Sequence, residues 1–74
     1  MFTVKVIERS NGRPVQFEKV SVIFEGLFDC ARNQYTDSIG EAHFSEDNAG
    51  DVGIYIGGRS VYHGEIAGRI VIYI

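Results

Sequence analysis

Apolar and polar residues alternate with a period of two along the chain, and no window of about a dozen residues keeps its apolar positions at helical spacing. That pattern predicts strands, with helix a minor component. From Phe2 to Glu8, the residues Phe2, Val4 and Val6 fall on one face and Thr3, Lys5 and Ile7 on the other. Ser10-Asn11-Gly12 breaks this strand, because Asn-Gly supplies the positive φ angles of a tight turn, and Pro14 then fixes an extended conformation. Lys19 to Glu25 reads as a second strand with Val20, Val22 and Phe24 on one side, ended by Gly26. Leu27 to Asn33 reads as a loop with Leu27 and Phe28 packed inward. Gln34-Tyr35-Thr36 begins a third strand, Asp37 to Gly40 turns the chain, and Glu41 to Ser45 returns with Ala42 and Phe44 inside, which predicts a hairpin. After a polar loop from Glu46 to Gly50, Val52, Ile54 and Ile56 alternate with Gly53, Tyr55 and Gly57. Gly57-Gly58 marks a second hairpin into a strand from Arg59 to Ile66, and Ala67-Gly68 turns the chain into a last strand, Arg69 to Ile74.

Turn signals thus recur about every ten residues, the spacing of a sandwich or small barrel rather than of βαβ units. The expectation is one all-β domain over residues 1–74: a small antiparallel, Greek-key-like β-sandwich of six or seven strands. At 74 residues the core is small, which makes self-association worth considering.

Composition narrows the function classes. The net charge is -3, and the seven Lys and Arg residues are scattered, so no basic stripe is present to neutralise a phosphate backbone, and nucleic acid is not an expected partner. The single cysteine, Cys30, cannot form an internal disulfide, so a reducing compartment is the simpler assumption and the thiol reads as a small, inert, buried or half-buried apolar group. No run approaches the roughly 18 apolar residues of a membrane span, and the alternating amino terminus lacks a signal-peptide core. A cytoplasmic protein without a membrane partner is the expectation.

A family resemblance rests on Gly12-Arg13-Pro14-Val15, then Val20-Ser21-Val22, then Tyr35 through Phe44, then Gly50 through Tyr55. Its most specific piece is Thr36-Asp37 with Gly40 and Phe44. In order and spacing these segments resemble the carboxypeptidase regulatory-like, or transthyretin-like, β-sandwich domains. The resemblance implies a seven-stranded sandwich in which Asp37 caps a hairpin turn and Phe44 enters the core. It further implies a noncatalytic module for folding support, display or binding. Some transthyretin-like proteins hydrolyse an oxidised purine with His, Arg and a Tyr-Arg-Gly-Ser terminus. This chain carries Val71-Ile72-Tyr73-Ile74 instead, so none of those roles is carried over.

Candidate chemistry is sparse. His43 and His63 are the only imidazoles, and two ligands do not complete a tetrahedral zinc site, so both read as exposed strand residues and no metal is expected. Ser45 or Ser60 beside a histidine would be a nucleophile only on a strained elbow, which the sequence lacks. Glu46, Asp47 and Asp51 do not have the spacing of a calcium loop and read as a solvated acidic loop. Tyr35, Tyr55, Tyr62 and Tyr73 would form a stacking platform if two or more shared an exposed face. No catalytic residue and no cofactor are assigned.

The last strand carries the functional signal, because it is apolar on both faces. If Ile70, Ile72 and Ile74 enter the core, Val71 and Tyr73 are left outside, and a free edge bearing them calls for a partner. The expectation is a noncatalytic module that acts through protein contacts as a homo-oligomer, with Tyr55, Tyr62, Arg69, Val71 and Tyr73 as interface residues. A small-ligand or carbohydrate binder, or a small hydrolase using a histidine, is the alternative.

Overall fold

Seven strands form where the alternation places them: β1 (Phe2–Ile7), β2 (Lys19–Phe24), β3 (Cys30–Tyr35), β4 (Glu41–Phe44), β5 (Asp51–Ile56), β6 (Arg59–Glu65) and β7 (Gly68–Tyr73). The computed structural model describes residues 1–25, 30–46 and 51–74. The fold is an all-β sandwich in which a three-stranded sheet, order β4-β1-β7, packs against a four-stranded sheet, order β3-β2-β5-β6. Among the described residues no helix is long and apolar enough to cross a membrane.

The inward halves of the alternating strands meet between the sheets. Phe2, Val4 and Val6 of β1, Ala42 and Phe44 of β4 and Ile72 of β7 face Val20 and Val22 of β2 and Val52, Ile54 and Ile56 of β5, all buried. The register that sets Phe2 opposite Phe44 stacks their rings at 5.0 Å, and Phe24 meets Phe2 edge-on from the other sheet at 6.0 Å. Removing each such side chain from water stabilises the fold by about 1.5–3 kcal/mol, which is why these rows dictate the register.

Every pair of named strands is antiparallel except one: β7 runs parallel to β1. This departs from a wholly antiparallel sandwich. The reason lies in the connection, since β6 ends at Glu65 and the chain crosses sheets through Ile66 and Ala67 to start β7 beside Phe2, the beginning of β1. Both strands must then run the same way.

Two expectations for the middle of the chain are corrected. The third strand starts at Cys30 rather than Gln34, so residues 30–33 are strand and not loop; Leu27 and Phe28, expected to pack inward, lie outside the described residues. The predicted hairpin is not one, because β3 pairs with β2 while β4 pairs with β1 in the opposite sheet. Between them Thr36 to Gly40 forms an arch. Thr36 is buried, and its hydroxyl donates to the Val15 carbonyl at 2.7 Å and accepts the Glu18 N–H at 2.8 Å, which ties one arm of the arch to the loop before β2. The other arm goes to β1: the Val6 N–H donates to the Gly40 carbonyl at 2.8 Å. Those bonds pull the two arms into different sheets.

Cys30, expected to be buried or half-buried, is exposed. All of β3 is exposed, because the four-stranded sheet is wider than its partner and β3 overhangs the core. Ile74, expected in the core with Ile70 and Ile72, is 40% exposed.

Candidate functional site

The outer face of the three-stranded sheet is set by what the core rejects. Burial of Phe2, Val4, Val6, Ala42, Phe44 and Ile72 sends Thr3, Lys5 and Ile7 of β1, Glu41 and His43 of β4, and Arg69, Val71 and Tyr73 of β7 to the other side. The registers arrange them in rows across the sheet: His43, Thr3 and Arg69; then Glu41, Lys5 and Val71; then Ile7 and Tyr73. One end and edge of the face is charged, and the opposite corner is apolar.

At the charged corner the arch presents Asp37 beside β4. Asp37 Oδ1 accepts the N–H groups of Ile39 and Glu41, each at 3.0 Å, and the Asp37 N–H donates to the Glu41 carbonyl at 2.9 Å. The Glu41 amide, with smaller contributions from the Ile39 amide and His43, holds the Asp37 carboxyl below its ordinary value of 3.8, against some desolvation that pushes it up. Across β1, Arg69 Nη2 lies 2.9 Å from Glu41 Oε2. Thr3 Oγ1 and His43 Nδ1 form a hydrogen bond of 3.0 Å.

At the apolar corner β7 is an edge strand rather than a central one. Val71 is 41% exposed and Tyr73 56%. The Ile74 N–H donates to the Ile7 carbonyl, and the Ile74 carbonyl accepts the Arg9 N–H. By the alternation of a parallel pair, Ile70 and Ile72 also turn their peptide groups to β1, so Arg69, Val71 and Tyr73 turn theirs to the free side. Next to this edge, the hairpin of β5 and β6 approaches the end of β7 and leaves a cleft of about 430 Å³ lined by Ile56, Val61, Tyr73 and Ile74 with Arg9 and Arg59.

Of the residues singled out from sequence, Arg69, Val71 and Tyr73 share this face, while Tyr55 and Tyr62 belong to the other sheet. Tyr55 is on the outer face of that sheet, its ring over Gly53. Tyr62 pairs with the inward Ile54, packs against the core, and donates its hydroxyl to the Glu65 carbonyl at 2.6 Å. A bulge between Ile54 and Tyr55 shifts the register of β6, which strand alternation alone does not show. The tyrosines therefore form no single platform: Tyr35 and Tyr55 share a sheet face but β2 runs between their strands.

The two histidines are exposed and sit in different sheets, His43 on β4 and His63 on β6, where His63 bonds Glu25. Neither Ser45 nor Ser60 hydrogen-bonds either histidine among the described residues. Of the acidic loop, Glu46 pairs with Arg32 at 2.7 Å, and Asp47 lies outside the described residues. The meeting of Asp37 with Glu41 and His43 was not foreseen, although Ala42 pointing inward already placed Glu41 and His43 on one outer face. Compared with known proteins, the chain matches no family model, no curated protein and no solved structure.

Proposed function

We propose that this chain is a noncatalytic β-sandwich module that acts through protein contacts, and that its first partner is a second copy joined through the β7 edge. One observation carries the reading: β7 has no strand on its outer side, and the residues whose peptide groups turn that way, Arg69, Val71 and Tyr73, are exposed, with only the Tyr73 carbonyl touched, at 3.5 Å, by the Arg9 guanidinium. An exposed apolar edge of this kind pairs or aggregates unless it is shielded.

The strand is self-complementary in one register. An antiparallel pairing with its two-fold axis at Val71 sets Val71 against itself, Arg69 against Tyr73 of the second copy, and Ile70 against Ile72 of the second copy. All three outward-bonding residues then lie at hydrogen-bonded positions, for about six new backbone bonds. Sliding the register by two residues leaves fewer bonded pairs. The resemblance to the carboxypeptidase regulatory-like domains belongs to the same proposal, supported by the buried Phe44 and by Asp37 capping its turn, although that turn joins two sheets rather than closing the hairpin the resemblance implies.

Sedimentation equilibrium of the full chain tests this. Dimer at micromolar concentration is expected, and Val71→Lys, which puts a charge at the axis without touching the β1 ladder, shifts the chain to monomer. Its effect on unfolding of the monomer stays within about 0.5 kcal/mol, as for other surface changes. A wild-type chain that stays monomeric at high micromolar concentration overturns the proposal, as does a dimer indifferent to Val71→Lys.

A further inference from the structure

The charged corner of the outer face carries a second inference, independent of self-association. Asp37, Glu41 and His43 each offer two polar side-chain atoms, and one of each pair is already engaged by a group outside the trio or by backbone. Asp37 Oδ1 takes two backbone N–H groups, Glu41 Oε2 takes Arg69, and His43 Nδ1 shares a hydrogen bond with the Thr3 hydroxyl. The remaining atoms turn towards one another. One ligand atom from each of the three residues lies within 4.8 Å of the others.

The distances within the trio are those of loose ion pairs and also fit a ligand set. His43 Nε2 is 3.5 Å from Asp37 Oδ2 and 3.8 Å from Glu41 Oε1. Charge-assisted hydrogen bonds between such groups close to about 2.7–2.9 Å. These stay open. Two ligands of a tetrahedral zinc ion, each bonded at about 2.0–2.1 Å, are separated by roughly 3.3 Å. Small side-chain rotations therefore bring all three atoms onto one ion, and the strand and turn that carry them need not move.

We propose that Asp37, Glu41 and His43 form a mononuclear site for a divalent transition-metal ion of the zinc type, with a fourth position open to solvent. Donor chemistry selects the metal class. One imidazole with two carboxylates suits zinc or cobalt, whereas calcium takes six to eight oxygens and magnesium a near-octahedral oxygen shell. The two carboxylates offset the charge of the ion, with Arg69 fixing one of them. Thr3 acts as the outer partner of the imidazole: with its hydroxyl oxygen accepting Nδ1–H, the lone pair of Nε2 faces the metal, the role such partners play in metal sites generally.

The test is a titration of zinc chloride into the full chain in a Cys30→Ser background, followed by calorimetry and by the ring-proton resonances of the two histidines. The Ser background removes the exposed thiol as a competing ligand. One equivalent is expected to bind and to perturb His43 while leaving His63 unmoved. His43→Gln, an exposed position on β4, lowers the affinity at least tenfold, and Asp37→Asn does likewise. Thr3→Val weakens binding by a smaller factor, within the roughly 10–100-fold range of outer-partner changes. Far-ultraviolet circular dichroism confirms that each variant is folded. No binding at millimolar zinc, binding that survives His43→Gln, or perturbation centred on His63 each overturns the site.

Discussion

The two edges of the three-stranded sheet pair with the same strand and yet are built differently. β4 has four residues, presents Glu41 and His43 outward, and starts from an arch whose every arm is hydrogen-bonded. β7 has six, presents Val71 and Tyr73, and starts at Ala67-Gly68, where no comparable set of side-chain caps is found among the described residues. Short length and charge are the ordinary means by which an edge strand is kept from pairing further. β4 uses both, whereas β7 is longer and carries a single charge, Arg69, that is turned to Glu41 across β1. The difference teaches that the outer edges of one sheet can be assigned opposite tasks: β4 closes the sheet and collects polar ligands, and β7 leaves it open for growth.

The largest effect comes from breaking the guarded side at its turn. Gly40 has φ +78°, and a Cβ built there would stand 2.8 Å from the Val6 carbonyl oxygen and 2.8 Å from Pro14 Cβ. Gly40→Ala meets a left-handed penalty of roughly 1–2 kcal/mol and, as the arch retreats, weakens the Val6–Gly40 hydrogen bond. A loss of about 3 kcal/mol in urea unfolding is expected. A loss below about 1 kcal/mol would show that the arch does not pin β4. Thr36→Val follows in size. The substitution removes the hydroxyl and leaves both of its partners, the Val15 carbonyl and the Glu18 N–H, unpaired, for a loss of about 2 kcal/mol in the same experiment.

Both edges also show where sequence reading reaches and where it stops. The inward rows Phe2-Val4-Val6, Val20-Val22, Ala42-Phe44 and Val52-Ile54-Ile56 were legible, because a period of two is a property of one strand by itself. Pairing is not such a property. Asp37 to Gly40 reads identically as a hairpin turn or as an arch between sheets, and the decision rests on Thr36 bonding to Val15 and Glu18, more than fifteen residues away. The strand Cys30–Tyr35 lacked apolar alternation because its overhanging position needs none. At the candidate site, the exposure of Val71 and Tyr73 followed from alternation, as did the common face of Glu41 and His43. That Arg69 reaches Glu41 across β1 follows only from the sheet order, and the inward turn of Tyr62 only from a bulge.

The smaller of the two glycine effects sharpens the contrast by repeating the first substitution on the other edge. Gly68 opens β7 with φ +73°, close to the value at Gly40, but a Cβ added there has no neighbour within 4 Å. Crowding and backbone conformation are thereby separated, since the two glycines share the second and differ in the first. Gly68→Ala should cost only the left-handed term, about 1 kcal/mol, and Gly68→Asn less, because Asn tolerates that conformation. For a chain of this length, each kcal/mol corresponds to roughly 4–8 °C in Tm, so the difference between Gly40→Ala and Gly68→Ala is readable by thermal unfolding alone. Equal losses at the two positions would mean that the start of β7 is as tightly held as that of β4, and the open edge would then need another explanation than a loosely anchored strand.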